Sequence, residues 1–481
     1  MDSYTGMTKK DESRAQALDA LRGIAILAML LSSELPFGDI ALPPWMYHAQ
    51  VPPPLHQFIP NPGITWVDLV FPVFLFSMGA AFPLAMGRRL RAGVSEWALA
   101  GSILKRGFLL GFFALFVMDI RPGVLSDNPA AGTWIAGLAG FAILFPILSR
   151  LPRTWKPSLQ WAVRAAGWAA AAGFLALARY PGGRGFSVER SDIIIVVLTN
   201  MAVFGGLIWL VTRGRPAARL GVIGIVLAIR LSNMPAPLGG WTSSWWDFTP
   251  ALWIYRLYFL QYLCIVLPGT IAGELLDEWL RLQSEAAAPS WSAGRNAALA
   301  AYMLAFIPVA LAGLKSRWLP GTPLALFAML FAGWPLVKNA ASPAERLYKR
   351  LFLWGAYWLV LGLVLEPYEG GIKKDRATIS YYFVTCGLTH CLLISLSIAM
   401  DVFKKARWLR VFIETGQNPM IAYAGVNNFI APCLALAGVA PLLDRWASTP
   451  WRGFWRGVLV TLLMALATSY LTRWSPSGEW K

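Results

Sequence analysis

Apolar runs of about 20 residues recur along nearly the whole chain, separated by short loops that are basic or rich in Pro and Gly. Runs of this length suit helices that cross a bilayer, and they neither alternate nor shorten as barrel strands do. The pattern predicts an all-α polytopic membrane bundle of about 12–14 transmembrane helices. The first run covers 17–33, an extended loop occupies 34–63, and a second helix follows at 64–86. Further spans centre near 110, 140, 167, 202, 224, 260, 305, 328, 357, 390, 427 and 462, with those near 224 and 328 weak. The stretch 274–295 reads as a cytoplasmic amphipathic helix and linker. It would join an N-terminal half-bundle (1–273) to a C-terminal one (296–481), and no repeat relates the two.

Composition agrees with this pattern: 57% of the 481 residues are hydrophobic and only 14% charged. The mean hydropathy is +0.53. A net charge of +17 would point to nucleic acid in a soluble protein. Here the cations sit in alternate loops, at 88–91, 150–156, 212–219, 338–350 and 403–410, as the positive-inside rule requires. Nucleic acid is therefore not an expected partner. Both termini are expected in the cytoplasm, with loop 34–63 outside, in a cell inner (plasma) membrane. The polar segment before the first run carries Lys9, Lys10, Asp11 and Glu12, and no cleavable signal is expected. Cys264, Cys386, Cys391 and Cys433 all lie in apolar runs without metal-ligand spacing, so neither a disulfide framework nor a metal is expected.

Candidate chemistry gathers at the start of the second helix. Two of the three histidines, His48 and His56, lie in a proline-rich loop leading into TWVDLVFP. An imidazole can take a proton from an amine or alcohol near neutral pH, or carry an acyl group. A loop histidine can equally cap backbone carbonyls or face water. Asp68 could orient one of the two through a ring nitrogen. It could also cap its own helix, with Thr65 as N-cap. At the other end of the first helix, Asp19 and Arg22 share a face. Arg22, with Lys105 and Arg106, could receive the phosphates of a nucleotide cofactor.

Further polar groups stand in the predicted outer loops. Trp66, Trp241, Trp245, Trp246 and Asp247 could stack and bind a sugar ring, or simply form the interfacial aromatic belt. Lys374 lies in the charged loop EPYEGGIKKDR, against the inside bias for cations. Asn427 and Asn428 interrupt an apolar run, either as interhelical glue or as part of a polar cavity.

LDALRGIAIL, a histidine-bearing loop and then GITWVDLVFPVFLFSMGAAFPLA resemble the transmembrane acyltransferases related to heparan-α-glucosaminide N-acetyltransferase, nearest to uncharacterised bacterial members. The resemblance is strongest over 14–91 and continues weakly through 262–276, GGIKKDRATISYYF and TGQNPMIAY. It implies transfer of an acetyl group from cytoplasmic acetyl-CoA to an amino sugar or glycan on the far side. By position it favours His56 as the catalytic histidine, with His48 in reserve and Asp68 as support. The expected partners are then the lipid bilayer, acetyl-CoA and a sugar acceptor, with room for a homodimer. A reading from another class makes the same residues a proton relay in a sugar or glycan transporter or flippase; such proteins often carry inverted repeats.

Overall fold

The structure, a computed structural model, describes residues 15–54, 57–152, 154–233, 240, 243–282 and 291–474. Its frame is helical throughout. No strand is assigned among the described residues, and β pairing there is limited to isolated bridges such as Tyr180 with Arg184 and Ala251 with Tyr255.

The chain runs through α1 (Gln16–Ser33), α2 (Trp66–Arg91), α3 (Glu96–Asp119) and α4 (Ala131–Leu148). Next come α5 (Pro157–Leu177), α6 (Ile193–Thr212), α7 (Pro216–Leu231) and α8 (Leu257–Leu282). The second half holds α9 (Ala293–Lys315), α10 (Gly321–Val337), α11 (Pro343–Leu365) and α12 (Ile379–Val402). It closes with short α13 (Arg410–Gln417), then α14 (Pro419–Leu436) and α15 (Pro450–Arg473). Among the described residues eleven helices are long and apolar enough to cross a membrane. α5, α7 and α10 fill the remaining expected positions; α7 and α10, the weak ones, have 16 and 17 residues.

Two boundaries differ from the sequence expectation. α2 continues through GRRLR to Arg91, five residues further than expected, its cations lying at the negative end of the helix dipole. Residues 274–282 continue α8 rather than start a separate helix. The remainder of the expected linker, 283–290, lies outside the described residues.

α2 and α12 form the centre. A helix apolar on every side belongs in the interior, and nearly every residue of α2 from Val67 to Met86 is buried. α12 packs against α1, α2, α8, α9 and α11. The α2–α8 crossing is close because α8 offers Gly269 and Gly273, four apart, to the backbone of α2. A Cβ at Gly269 would stand 2.2 Å from the Phe76 carbonyl oxygen, and one at Gly273 2.2 Å from that of Ala80. Outer helices instead present large apolar side chains such as Phe108, Trp161 and Phe331, as a lipid-facing wall does.

Candidate functional site

Asp68 is placed by its own helix start. Thr65 is the N-cap of α2, and Asp68, three residues on, completes a capping box: its Oδ2 accepts from the Thr65 backbone N–H at 2.8 Å. Thr65 Oγ1 donates to the Tyr47 carbonyl at 2.7 Å, drawing the preceding loop onto the helix end. Tyr47 is itself tied back by its hydroxyl to the Pro36 carbonyl. These bonds deliver the next residue, His48, to the carboxylate. His48 Nδ1 stands 2.7 Å from Asp68 Oδ1, while the Ala49 N–H reaches Oδ2 at 3.3 Å.

The carboxylate is fully buried, whereas the imidazole is 32% exposed. An ionised carboxylate only accepts, so Nδ1 donates and the neutral ring keeps its free lone pair on Nε2. Asp68 therefore does both jobs the sequence allows: it caps α2 and orients a histidine.

Lys374 completes the cluster from the opposite half of the chain. Its Nζ lies 3.2 Å from Nδ1 and 3.1 Å from Nε2. The Lys374 amine therefore stands within hydrogen-bond reach of both ring nitrogens, including Nε2, the one the carboxylate leaves unengaged. Lys374 lies outside the membrane-crossing helices. Burial pushes its ammonium below the ordinary 10.5, with Asp68 and Asp375 acting in the other direction.

Buried Gln50 locks the two loops together. It donates to the carbonyls of Asn61 (2.7 Å) and Gly63 (3.0 Å) and accepts from the Lys374 N–H at 3.2 Å. Gly63 N–H adds a bond to the Ile372 carbonyl at 2.7 Å. Gly371, at φ +107°, passes so near that a Cβ would lie 2.4 Å from the Pro62 side chain. From below, the Tyr381 hydroxyl donates to the Asp68 carbonyl at 2.7 Å. Sequence reasoning missed Gln50 as a lock and Tyr381 as a support. Neither role carries a local signal, because each depends on a distant partner, Lys374 for Gln50 and Asp68 for Tyr381.

A second polar centre lies deeper in the bundle. Arg22 donates to the Gly416 carbonyl at 3.2 Å and the Ser77 carbonyl at 3.3 Å, and lies 3.6 Å from Asp19. It and Arg106 line one cavity of about 120 Å³, with Gln417, Asn418 and Tyr423 among its polar walls. Lys105, on the exposed side of α3, is not among the lining residues. Ser77 is nine residues along α2 from Asp68, about 13 Å of helix rise. The two centres are thus stacked along one helix.

The other sequence candidates fall as follows. Trp66 is half-buried two residues before Asp68. Trp246 is buried with its ring edge to Tyr258, whereas Trp245 is 39% exposed and Asp247 exposed. Asn428 is buried, bonded to the Ala424 carbonyl at 3.0 Å, and Asn427 is exposed; both lie where α14 packs on α4 and α15. His56 and Trp241 lie outside the described residues. The third histidine, His390, is buried in α12 with its ring edge-on to Phe76 and Nδ1 2.8 Å from the Cys386 carbonyl. Among the described residues no three His, Cys, Asp or Glu side chains gather as a metal site.

Fold and site together define a multi-pass α-helical membrane protein with a histidine–carboxylate centre at the mouth of its bundle. Residues 14–276, more than half the chain, match a family described as a domain of unknown function, DUF5009, and the chain belongs to that family. It is also similar to heparan-alpha-glucosaminide N-acetyltransferase of Homo sapiens, 32% identical over 107 residues. That match covers 22% of this chain and 14% of the human protein.

Proposed function

We propose that this chain is a membrane acyltransferase that takes an acetyl group from acetyl-CoA on the basic, cytoplasmic side and passes it to an amino sugar or glycan on the other. Its strongest support is the His48–Asp68 pair at 2.7 Å, with a buried carboxylate and a part-exposed ring. That is the arrangement general-base chemistry needs: an orienting group behind Nδ1, and an Nε2 that the carboxylate leaves unengaged and that Lys374 must yield to the acceptor. We give His48 the role that the family resemblance suggested for His56, on the strength of its contact with Asp68; His56 lies outside the described residues.

In this mechanism the acceptor nitrogen or oxygen attacks the thioester carbonyl while its proton moves to His48 Nε2. The carbon–sulfur bond then breaks, and the thiolate takes up the proton as CoA leaves. Asp68 stabilises the imidazolium that forms between the two steps. Arg22 and Arg106 favour an anionic donor. At about 120 Å³ their cavity is smaller than the ~300–1,000 Å³ usual for a small-molecule site, so it suits a segment of the donor rather than the whole nucleotide.

The test is transfer across a bilayer. Proteoliposomes holding glucosamine inside are given radiolabelled acetyl-CoA outside. Label should appear on the enclosed amine with wild type, and Arg22→Gln should raise the KM for acetyl-CoA. Absence of both transfer and CoA binding across a panel of amine and hydroxyl acceptors would overturn the proposal. Glucosamine uptake or efflux without acetylation would favour a transporter.

A further inference from the structure

A groove far from the His48 centre has the build of a lipid-headgroup site. It lies between the last turns of α8 and the first turns of α11, with a volume of about 310 Å³. Leu275, Trp279 and Leu347 supply its apolar floor, while Arg346, Lys349 and Arg350 stand around it with one carboxylate, Glu278. Arg350 is engaged with Glu278 at 2.6 Å. Exposed Arg346 and half-buried Lys349 have no ion pair among the described residues, so the groove keeps a surplus of two positive charges.

Its depth in the membrane follows from the sequence of both walls. α8 is apolar from Leu263 to Gly273 and turns charged at Glu274, Asp277, Glu278 and Arg281. α11 is charged from Glu345 to Arg350 and apolar from Leu351 onward. Both helices therefore pass from hydrocarbon to polar surroundings at the level of this groove. Interfacial aromatics mark the same level: Lys349 Nζ lies 5.5 Å from the Trp334 ring, and Trp291 stacks under Arg295 at 4.3 Å. The stems of Arg346 and Lys349 can lie along the apolar floor while their charges face the headgroup layer.

We infer that this groove binds the phosphate of an anionic membrane phospholipid, whose acyl chains run down the α8–α11 wall. A basic pocket between transmembrane helices at the headgroup level is the chemistry that holds such lipids. Nothing in this inference depends on acyl transfer.

The purified full chain is titrated in detergent with short-chain phosphatidylglycerol, short-chain phosphatidylcholine or inorganic phosphate, with the melting temperature as readout. Phosphatidylglycerol should raise it saturably; the other two should not at equal concentration. The double variant Arg346→Gln/Lys349→Gln should bind about 30-fold more weakly, at roughly fivefold per cation. Glu278→Gln should bind more tightly, because it frees Arg350. Lys405→Gln/Arg407→Gln removes the same charge from another exposed loop and should leave affinity unchanged. Equal shifts with phosphatidylcholine, a full shift with phosphate alone, or equal losses in the two double variants would overturn the inference.

Discussion

The weight of the functional proposal falls on one pair of side chains. Asp68 uses Oδ1 for His48 and Oδ2 for the cap of α2, so its substitution acts on both. Asp68→Asn should cut acetyl transfer strongly and also loosen the helix start; Thr65→Ala should cost about 1 kcal/mol of stability through the cap and also release the Tyr47 carbonyl that helps place His48. A urea or thermal denaturation series beside the rate assay separates the two effects. Lys374 gives a pH signature. Its folded value lies below 10.5, so between that value and 10.5 the unfolded chain holds more protons than the folded one. Stability therefore rises with pH through that window, and Lys374→Gln should flatten the rise in a denaturation-midpoint series. Half of this site was readable in the sequence. T-x-x-D before an apolar run announces the cap. The contact of His48 with Asp68 was not readable, because it turns on Thr65 and Tyr47 pulling the loop inward and on a lysine 326 residues from His48.

Helices were legible as apolar runs, and all the expected positions are occupied, since length and hydropathy alone decide whether a segment suits a bilayer. Their neighbours were less legible, because lipid and protein interior select similar side chains. The α2–α8 contact shows what does encode a neighbour: Gly269 and Gly273 at a spacing of four. Gly269→Leu should destabilise the protein by about 1–3 kcal/mol through overpacking. Gly101→Ala on α3, where a Cβ meets nothing within 4 Å, should be neutral or slightly stabilising. Melting curves of the two variants in one detergent check both signs.

For the whole molecule, we propose from the charge pattern that loop 34–63 lies outside and the basic loops in the cytoplasm. With Cys433→Ser removing the half-buried native thiol, Asn61→Cys and Ala92→Cys offer exposed reporters at opposite ends of α2. An impermeant thiol reagent applied to intact cells should label the first and spare the second; the reverse would invert the orientation. Across that span the proposed route joins the cavity lined by Arg22 and the exposed Arg106 to a histidine at the mouth of the bundle. The most direct test compares initial rates of acetyl transfer to glucosamine for wild type, His48→Ala and His56→Ala in detergent. The account predicts a loss of about 10²–10⁴-fold for His48→Ala, as for removal of a general base, and near-wild-type rates for His56→Ala. Undiminished transfer in His48→Ala would contradict it.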